Sequence, residues 1–162
     1  MIIVSDTTAI SSLYKIGQLH LLHSIFGAVI IPEQVFKELH FFEQTEIGFK
    51  WETSFPWIKT QAVGDNELLK SLSKNLDEGE AAAIALTIEL HADLILIDEK
   101  QGRKIALENG LNIIGLMGVI ELAKRKNLIT AVKPLLDDLT SKANFRVSKE
   151  LYELTLKLAK EL

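Results

Sequence analysis

The chain has 162 residues, 48% hydrophobic and 25% charged, which suits one domain with a substantial core. Its net charge of −4 argues against a broad basic nucleic-acid surface, while leaving room for a local basic rim. Cysteine is missing, which excludes disulfides and thiolate chemistry; no apolar run approaches the ~18 residues of a membrane span, and no basic leader precedes Asp6, so a cytoplasmic, non-membrane protein is expected.

The chain opens MIIVSDTTAI. Residues 2–5 read as a short buried strand that ends at Asp6. Helices follow over 8–16 and 18–25, broken at Gly17, with Thr8 as the expected cap of the first. Residues 28–31 form a second apolar run. Pro32 then suits the first turn of a helix, because its missing N–H would be unpaired there anyway. Val35, Leu39 and Phe42 repeat along that helix at helical spacing.

The next segment is aromatic, with an extended piece expected near Trp57–Thr60 and the aromatic rings read as core plugs. Helices over 65–75 and 79–91 lead to a strand at Leu94–Ile97, which ends on Asp98. A helix from Glu99 to Glu108 closes at Asn109-Gly110. A short strand at 112–114 ends at Gly115. Helical patterns then cover 116–126, 131–142 and 148–161, the last with Leu151, Leu154, Leu158 and Leu162 as an apolar stripe that must pack on the domain or on a partner. Strands separated by helices predict a mainly parallel sheet covered on both faces. The domain core is expected over residues 1–130, with 131–162 as a helical extension packed on the same domain.

In such a sheet, ligands sit beyond the carboxyl ends of the strands, where Asp6 and Asp98 both stand. Two glutamates can join them. Glu38 borders the apolar stripe of its helix. Glu80, in LDEGEAAAIALTIE, opens a helix whose small alanines permit close packing. Each has an ordinary counterpart, Glu38 as a surface acid and Glu80 as a first-turn acid favoured by the helix dipole. Asp77 reads as the cap of that helix, and Asp77, Glu78 and Glu99 are candidates to supplement or replace a ligand.

Gathering four carboxylates without a cation is unfavourable. Two unit charges about 4 Å apart interact by roughly 4 kcal/mol at an effective dielectric near 20. A divalent ion reverses that cost, and an all-oxygen site suits Mg²⁺ or Mn²⁺ better than Zn²⁺. His20, His23, His40 and His91 form no metal-binding or metal-free hydrolytic pattern. A site of this kind supports phosphodiester hydrolysis by activated water. Ser5 and Thr7 are candidates to position water or phosphate. Arg103, on the helix after Asp98, either grips a phosphate or pairs with a site acid. No GxxxxGK[ST] or GxGxxG loop is present, so nucleotide-triphosphate and dinucleotide enzymes fit poorly.

VSDTTAISSLYKIGQLHLL, VIIPEQVFKEL, LDEGEAAAIALTIE and ADLILIDEKQGRKIALENGLNIIGLMGVIELAKRKNLI together resemble the PIN-domain family. More narrowly, they resemble its small prokaryotic nucleic-acid-binding branch and its VapC-like toxin ribonucleases. The resemblance places Asp6, Glu38, Glu80 and Asp98 at the family's four acid positions. It implies a three-layer α/β/α sandwich with a parallel sheet ordered 3-2-1-4-5. It further implies a Mg²⁺- or Mn²⁺-dependent endoribonuclease acting on single-stranded or structured RNA, a homodimer, and an antitoxin protein as partner. Leu13, Leu19, Leu22 and the C-terminal leucines are the candidate dimer contacts. The sequence departs from many family toxins in carrying Glu80 where they carry aspartate. Two other functions stand beside the ribonuclease: a non-catalytic PIN-like protein that binds RNA or a regulatory protein, and a metal-dependent phosphohydrolase for a small ester.

Overall fold

The computed structural model describes residues 1–43 and 51–162, without the side chains of 41–43. Phe42, expected on an apolar stripe, therefore lies outside the described side chains. Five strands form one parallel sheet: β1 (Ile3–Ser5), β2 (Val29–Pro32), β3 (Ile58–Gln61), β4 (Leu94–Leu96) and β5 (Ile113–Ile114). Their spatial order is β3-β2-β1-β4-β5, and every neighbouring pair is parallel. The strands are short apolar runs, as expected where both faces of a sheet are covered.

Alternation along the strands splits the core in two. Ile3, Val29, Ile31 and Leu96 face one apolar cluster. Val4, Ile95 and Ile97 face the other. The first cluster is completed by α1 (Thr7–Lys15), α2 (His20–Phe26), α3 (Glu33–Glu43), α8 (Leu116–Arg125), α9 (Lys133–Lys142) and α10 (Lys149–Leu158). The second is closed by α5 (Asn66–Leu72), α6 (Glu78–Glu89) and α7 (Lys100–Glu108). The result is a helix–sheet–helix sandwich with extra C-terminal helices. Val132, Leu135, Leu136, Leu139 and Leu156 sit in the same cluster as the early helices, so the C-terminal helices share that core.

The helices start and stop for local reasons. Asp65, Asp77 and Ser148 each accept a backbone N–H from the first turn of the helix that follows. Gly17 and Gly27 take positive φ at the ends of α1 and α2, where a side chain would be strained. Four of the chain's features differ from the sequence expectation. Pro32 is the last residue of β2, and α3 begins at Glu33. The cap position of α1 is Asp6, because the helix begins at Thr7 directly off the strand; Thr8 is already inside it. A helical turn, α4 (Trp51–Ser54), precedes β3. Its Trp51 is 3% exposed, gives its indole N–H to the Leu39 carbonyl at 2.8 Å, and stacks near Tyr14 and Phe55.

The fourth difference concerns leucines. Leu13, Leu19 and Leu22 are core residues at 0–3% exposure and offer nothing to a partner. In α10 the buried residues are Thr155 and Leu156, whereas Leu151, Leu154 and Leu158 lie open at 41%, 52% and 63%. The helix docks by its other face. Among the described residues, no helix is long and apolar enough to cross a membrane.

Candidate active site

The sheet order places β1 beside β4, and chain connectivity reverses direction between them. That junction is where open α/β sheets bind ligands. Ser5 aligns with Leu96, and the Asp6 N–H bonds the Leu96 carbonyl at 3.1 Å. Asp6 and Asp98 therefore leave the sheet at the same edge.

Asp6 is only 2% exposed, and its extended backbone aims α1 away from the strand. Its side chain makes no helix-cap bond. Oδ1 of Asp6 is buried without a hydrogen-bond partner. Burial, then the neighbouring Asp98, pushes its carboxyl well above the usual range, with Glu80 and Asp77 adding to the rise. Asp98 follows Ile97 just past β4. Its Oδ1 accepts the Leu116 N–H at 2.9 Å, at the start of α8. Its Oδ2 is buried and partnerless. Burial raises the Asp98 carboxyl, while the Leu116 N–H and the Arg103 charge oppose the rise.

Glu80 sits in the first turn of α6, where Asp77 caps its backbone N–H at 2.9 Å. Its carboxyl is pushed up to about 7, by burial first and then by Asp77 and Glu99. Glu38 stands across α6. Its Oε2 accepts the Thr7 hydroxyl, and it receives the Gly79 N–H as well. A Cβ at Gly79 would fall 2.5 Å from Glu38 Oε1, so glycine lets α6 approach this carboxylate. Burial is again the main reason the Glu38 carboxyl is raised.

The four acids are thus unequal. Asp6 and Asp98 form a buried pair with one free oxygen each. Glu80 adds to the field on Asp6, and Glu38 is joined to the site through Thr7 and through its charge on Glu80. Among the described residues, no group of three or more histidine, aspartate or glutamate side chains is arranged to hold a metal ion. The free pair is chemically right for a hard divalent cation, which takes carboxylate oxygens.

Of the positioning candidates, Thr7 touches a site acid, whereas the Ser5 hydroxyl is fully buried and donates to the Asp6 carbonyl at 2.9 Å. Arg103 gives Nη1 to the Ile97 carbonyl at 3.0 Å and lends its charge to Asp98. A Cβ at Gly115 would meet Arg103 Nη1 at 2.6 Å and Asp98 Oδ1 at 2.9 Å, so this glycine keeps the wall of the site open. Sequence reading missed Gly115 and Leu116, although a glycine between a strand and a helix was a usable signal. It also missed Arg146, which lines two cavities together with Asp98 and carries no local signal of that placement.

No curated protein matches the chain. A family model described as "DUF3368: PIN domain" matches residues 2–161, nearly the whole length, and the chain belongs to the PIN-domain family.

Proposed function

We propose that this PIN domain is a metal-dependent endoribonuclease that hydrolyses RNA phosphodiesters at the edge between β1 and β4. The observation that carries the reading is the buried Asp6–Asp98 pair. Each carries one buried oxygen without a hydrogen-bond partner, and the Asp98 charge adds to the cost of ionising Asp6. Such a pair is a liability to the fold unless a cation joins it. Asp6 and Asp98 would hold Mg²⁺ or Mn²⁺, with Glu80 turning in as a third donor. A bound divalent ion supplies Lewis acidity and a water of lowered pKa.

The chain's own groups do the rest. Leu116 N–H fixes one oxygen of Asp98, leaving the other buried and without a partner. Thr7 holds Glu38 at the rim, where that carboxylate can orient water or accept its proton. Arg103 compensates charge in the wall. Burial raises the carboxyls of Asp6, Glu38, Glu80 and Asp98, so each keeps its proton to a higher pH than an exposed acid does.

A second reading has one specific observation in its favour. The acids as they stand form no ligand set of three among the described residues, which favours a non-catalytic PIN domain that binds RNA or protein. The assay that separates them uses wild type, Asp6→Asn and Asp98→Asn on transfer, ribosomal and messenger RNA, with Mn²⁺ and with chelator. The nuclease reading expects wild-type, metal-dependent cuts that leave 5′-phosphate and 3′-hydroxyl ends, abolished in both variants. Cleavage that survives chelation, or equal cleavage by all three proteins, overturns it. Binding of Mn²⁺ by wild type, followed by calorimetry, is expected to weaken at least tenfold in either variant.

RNA is the partner this reading requires. A second copy of the chain is supported by the open leucine face of α10. An antitoxin protein is supported by the family resemblance alone.

A further inference from the structure

The last turns of α8 and α10 close in the same way. Past α8, the Asn127 N–H bonds the Lys124 carbonyl at 3.0 Å, and the Leu128 N–H bonds the Ala123 carbonyl at 2.9 Å. Past α10, the Lys160 N–H bonds the Lys157 carbonyl at 3.0 Å, and the Glu161 N–H bonds the Leu156 carbonyl at 2.8 Å. Such a closure turns on one left-handed residue, usually glycine. The ends of α1 and α7 use Gly17 and Gly110. Here the residues are Asn127, at φ 59°, and Lys160, at φ 61°. A lysine in that region is strained where glycine is not, and strained residues gather at ligand sites. Among the described residues four non-glycines hold a positive φ, and two of the four stand on one cavity.

That cavity, of about 510 Å³, lies between the two helix ends. Glu121, Lys124, Arg125 and Asn127 line it from α8 and its closing turn, and Leu158 and Lys160 from α10 and its own. None of the four site acids reaches it. Glu161 fixes the walls. One of its carboxylate oxygens accepts the Val132 N–H at 2.7 Å and Lys124 Nζ at 3.2 Å, and the other accepts the Lys133 N–H at 3.1 Å. The end of α10 is thereby tied to α8 and to the start of α9. Lys124 is committed to that bond. The side chains of Arg125 and Lys160 are exposed and have no hydrogen bond or ion pair among the described residues.

Two free cations match a phosphate monoester, which carries about −1.5 to −2 at pH 7. The arginine fork fits its oxygens. A free phosphate ion would fill little of the space. The remainder has an apolar wall at Leu158, 63% exposed, and a hydrogen-bond acceptor at Glu121. An apolar ring face suits the first, and a hydroxyl suits the second. Glu121 also opposes a longer chain of phosphates. We propose that this cavity binds a nucleoside monophosphate, with its phosphate on Arg125 and Lys160, its base against Leu158 and a ribose hydroxyl donated to Glu121. The site stands whether or not the acids cleave RNA. Its place gives it a consequence, because α8 carries the Leu116 N–H that holds Asp98 at one end and this cavity at the other.

Calorimetry in chelator, with the full chain, compares adenosine monophosphate (AMP), adenosine and inorganic phosphate. AMP is expected to bind about tenfold or more tightly than either fragment. Arg125→Ala and Lys160→Gly should each weaken AMP by about tenfold, the loss of one charge-assisted bond. Lys160→Gly keeps the left-handed turn and removes its strain, so it should melt no lower than wild type. Asp98→Asn should bind AMP as wild type does, since Asp98 lies outside the cavity. Leu158 also belongs to the open leucine face of α10, so the titrations are repeated on Leu154→Lys, whose substituted residue lines no part of the cavity. An absence of AMP binding in both backgrounds, AMP bound no more tightly than inorganic phosphate, affinity indifferent to Arg125→Ala and Lys160→Gly, or affinity lost in Asp98→Asn overturns the proposal.

Discussion

At the scale of single residues, the site is a set of carboxyl groups held where ionisation is costly. Glu80 shows the consequence for pH. Its folded-state pKa is about 7 against an ordinary 4.5, so the folded chain holds this proton more tightly than the unfolded chain does. That preference stabilises the fold fully below about pH 4.5 and is lost as pH rises through about 7. In chelator, thermal stability is expected to fall across this window, by about 1–3 kcal/mol once solvent screening is allowed for. Glu80→Gln should flatten the fall, and Mn²⁺ should reverse it. A melting temperature of wild type that is level from pH 5 to pH 8 in chelator would remove Glu80 from the coupled cluster. The places of Asp6 and Asp98 just past two strands were legible in the sequence, because an apolar run that ends on aspartate is a visible signal. Their division of labour was not. The Leu116 N–H on Asp98 and the Thr7 hydroxyl on Glu38 join residues far apart in the chain, and only the packed sheet brings them together.

At the scale of elements, α6 sets the geometry of the site. It packs against β1, β2, β4 and helices α3, α5 and α7, and Ala81, Ala82, Ala83 and Ala85 are all fully buried. A helix surrounded on all sides needs small residues where its neighbours come close. Ala85→Leu would add volume where none is free, at a cost of about 1–3 kcal/mol, or a Tm lower by roughly 2–12 °C. Mn²⁺ affinity should fall with it, because Glu80 rides on the same helix. Leu107→Ala, at a position 58% exposed on α7, should change stability by less than about 0.5 kcal/mol. Calorimetric melting that found the two variants alike would contradict the close packing of α6. The order of elements was readable from apolar runs punctuated by glycine, proline and asparagine. The boundary at Pro32 was not, since proline fits both the end of a strand and the first turn of a helix. The face that α10 buries was not either. Periodicity shows that a helix has an apolar side, while the neighbouring helices decide which side is covered.

At the scale of the whole molecule, the open side of α10 argues for self-association. Leu151, Leu154 and Leu158 recur at helical spacing on α10, and Leu162, past the end of the helix, is 77% exposed. On the flank away from the core stand Glu150 and Lys157, both exposed and without an ion pair among the described residues. If two copies of α10 pack antiparallel about Leu154, Glu150 of each chain faces Lys157 of the other, and the leucines close on one another. The contact is self-complementary in shape and charge, as a two-fold interface must be. One short helix pair covers less than the ~1,200 Å² of a standard interface, so the dimer should form in the micromolar range. Sedimentation equilibrium is expected to show a mass that rises from 18.1 kDa toward twice that value as protein concentration increases. Leu154→Lys should hold the chain at the lower mass without altering its melting temperature. Charge gives the sharper test. Glu150→Lys alone should weaken association, because each chain then sets lysine against lysine. Adding Lys157→Glu to the same chain should restore it, since the pairs are exchanged and the leucines untouched. A mass of 18.1 kDa at every accessible concentration, or a double variant no better than the single one, would show that α10 does not pair this way.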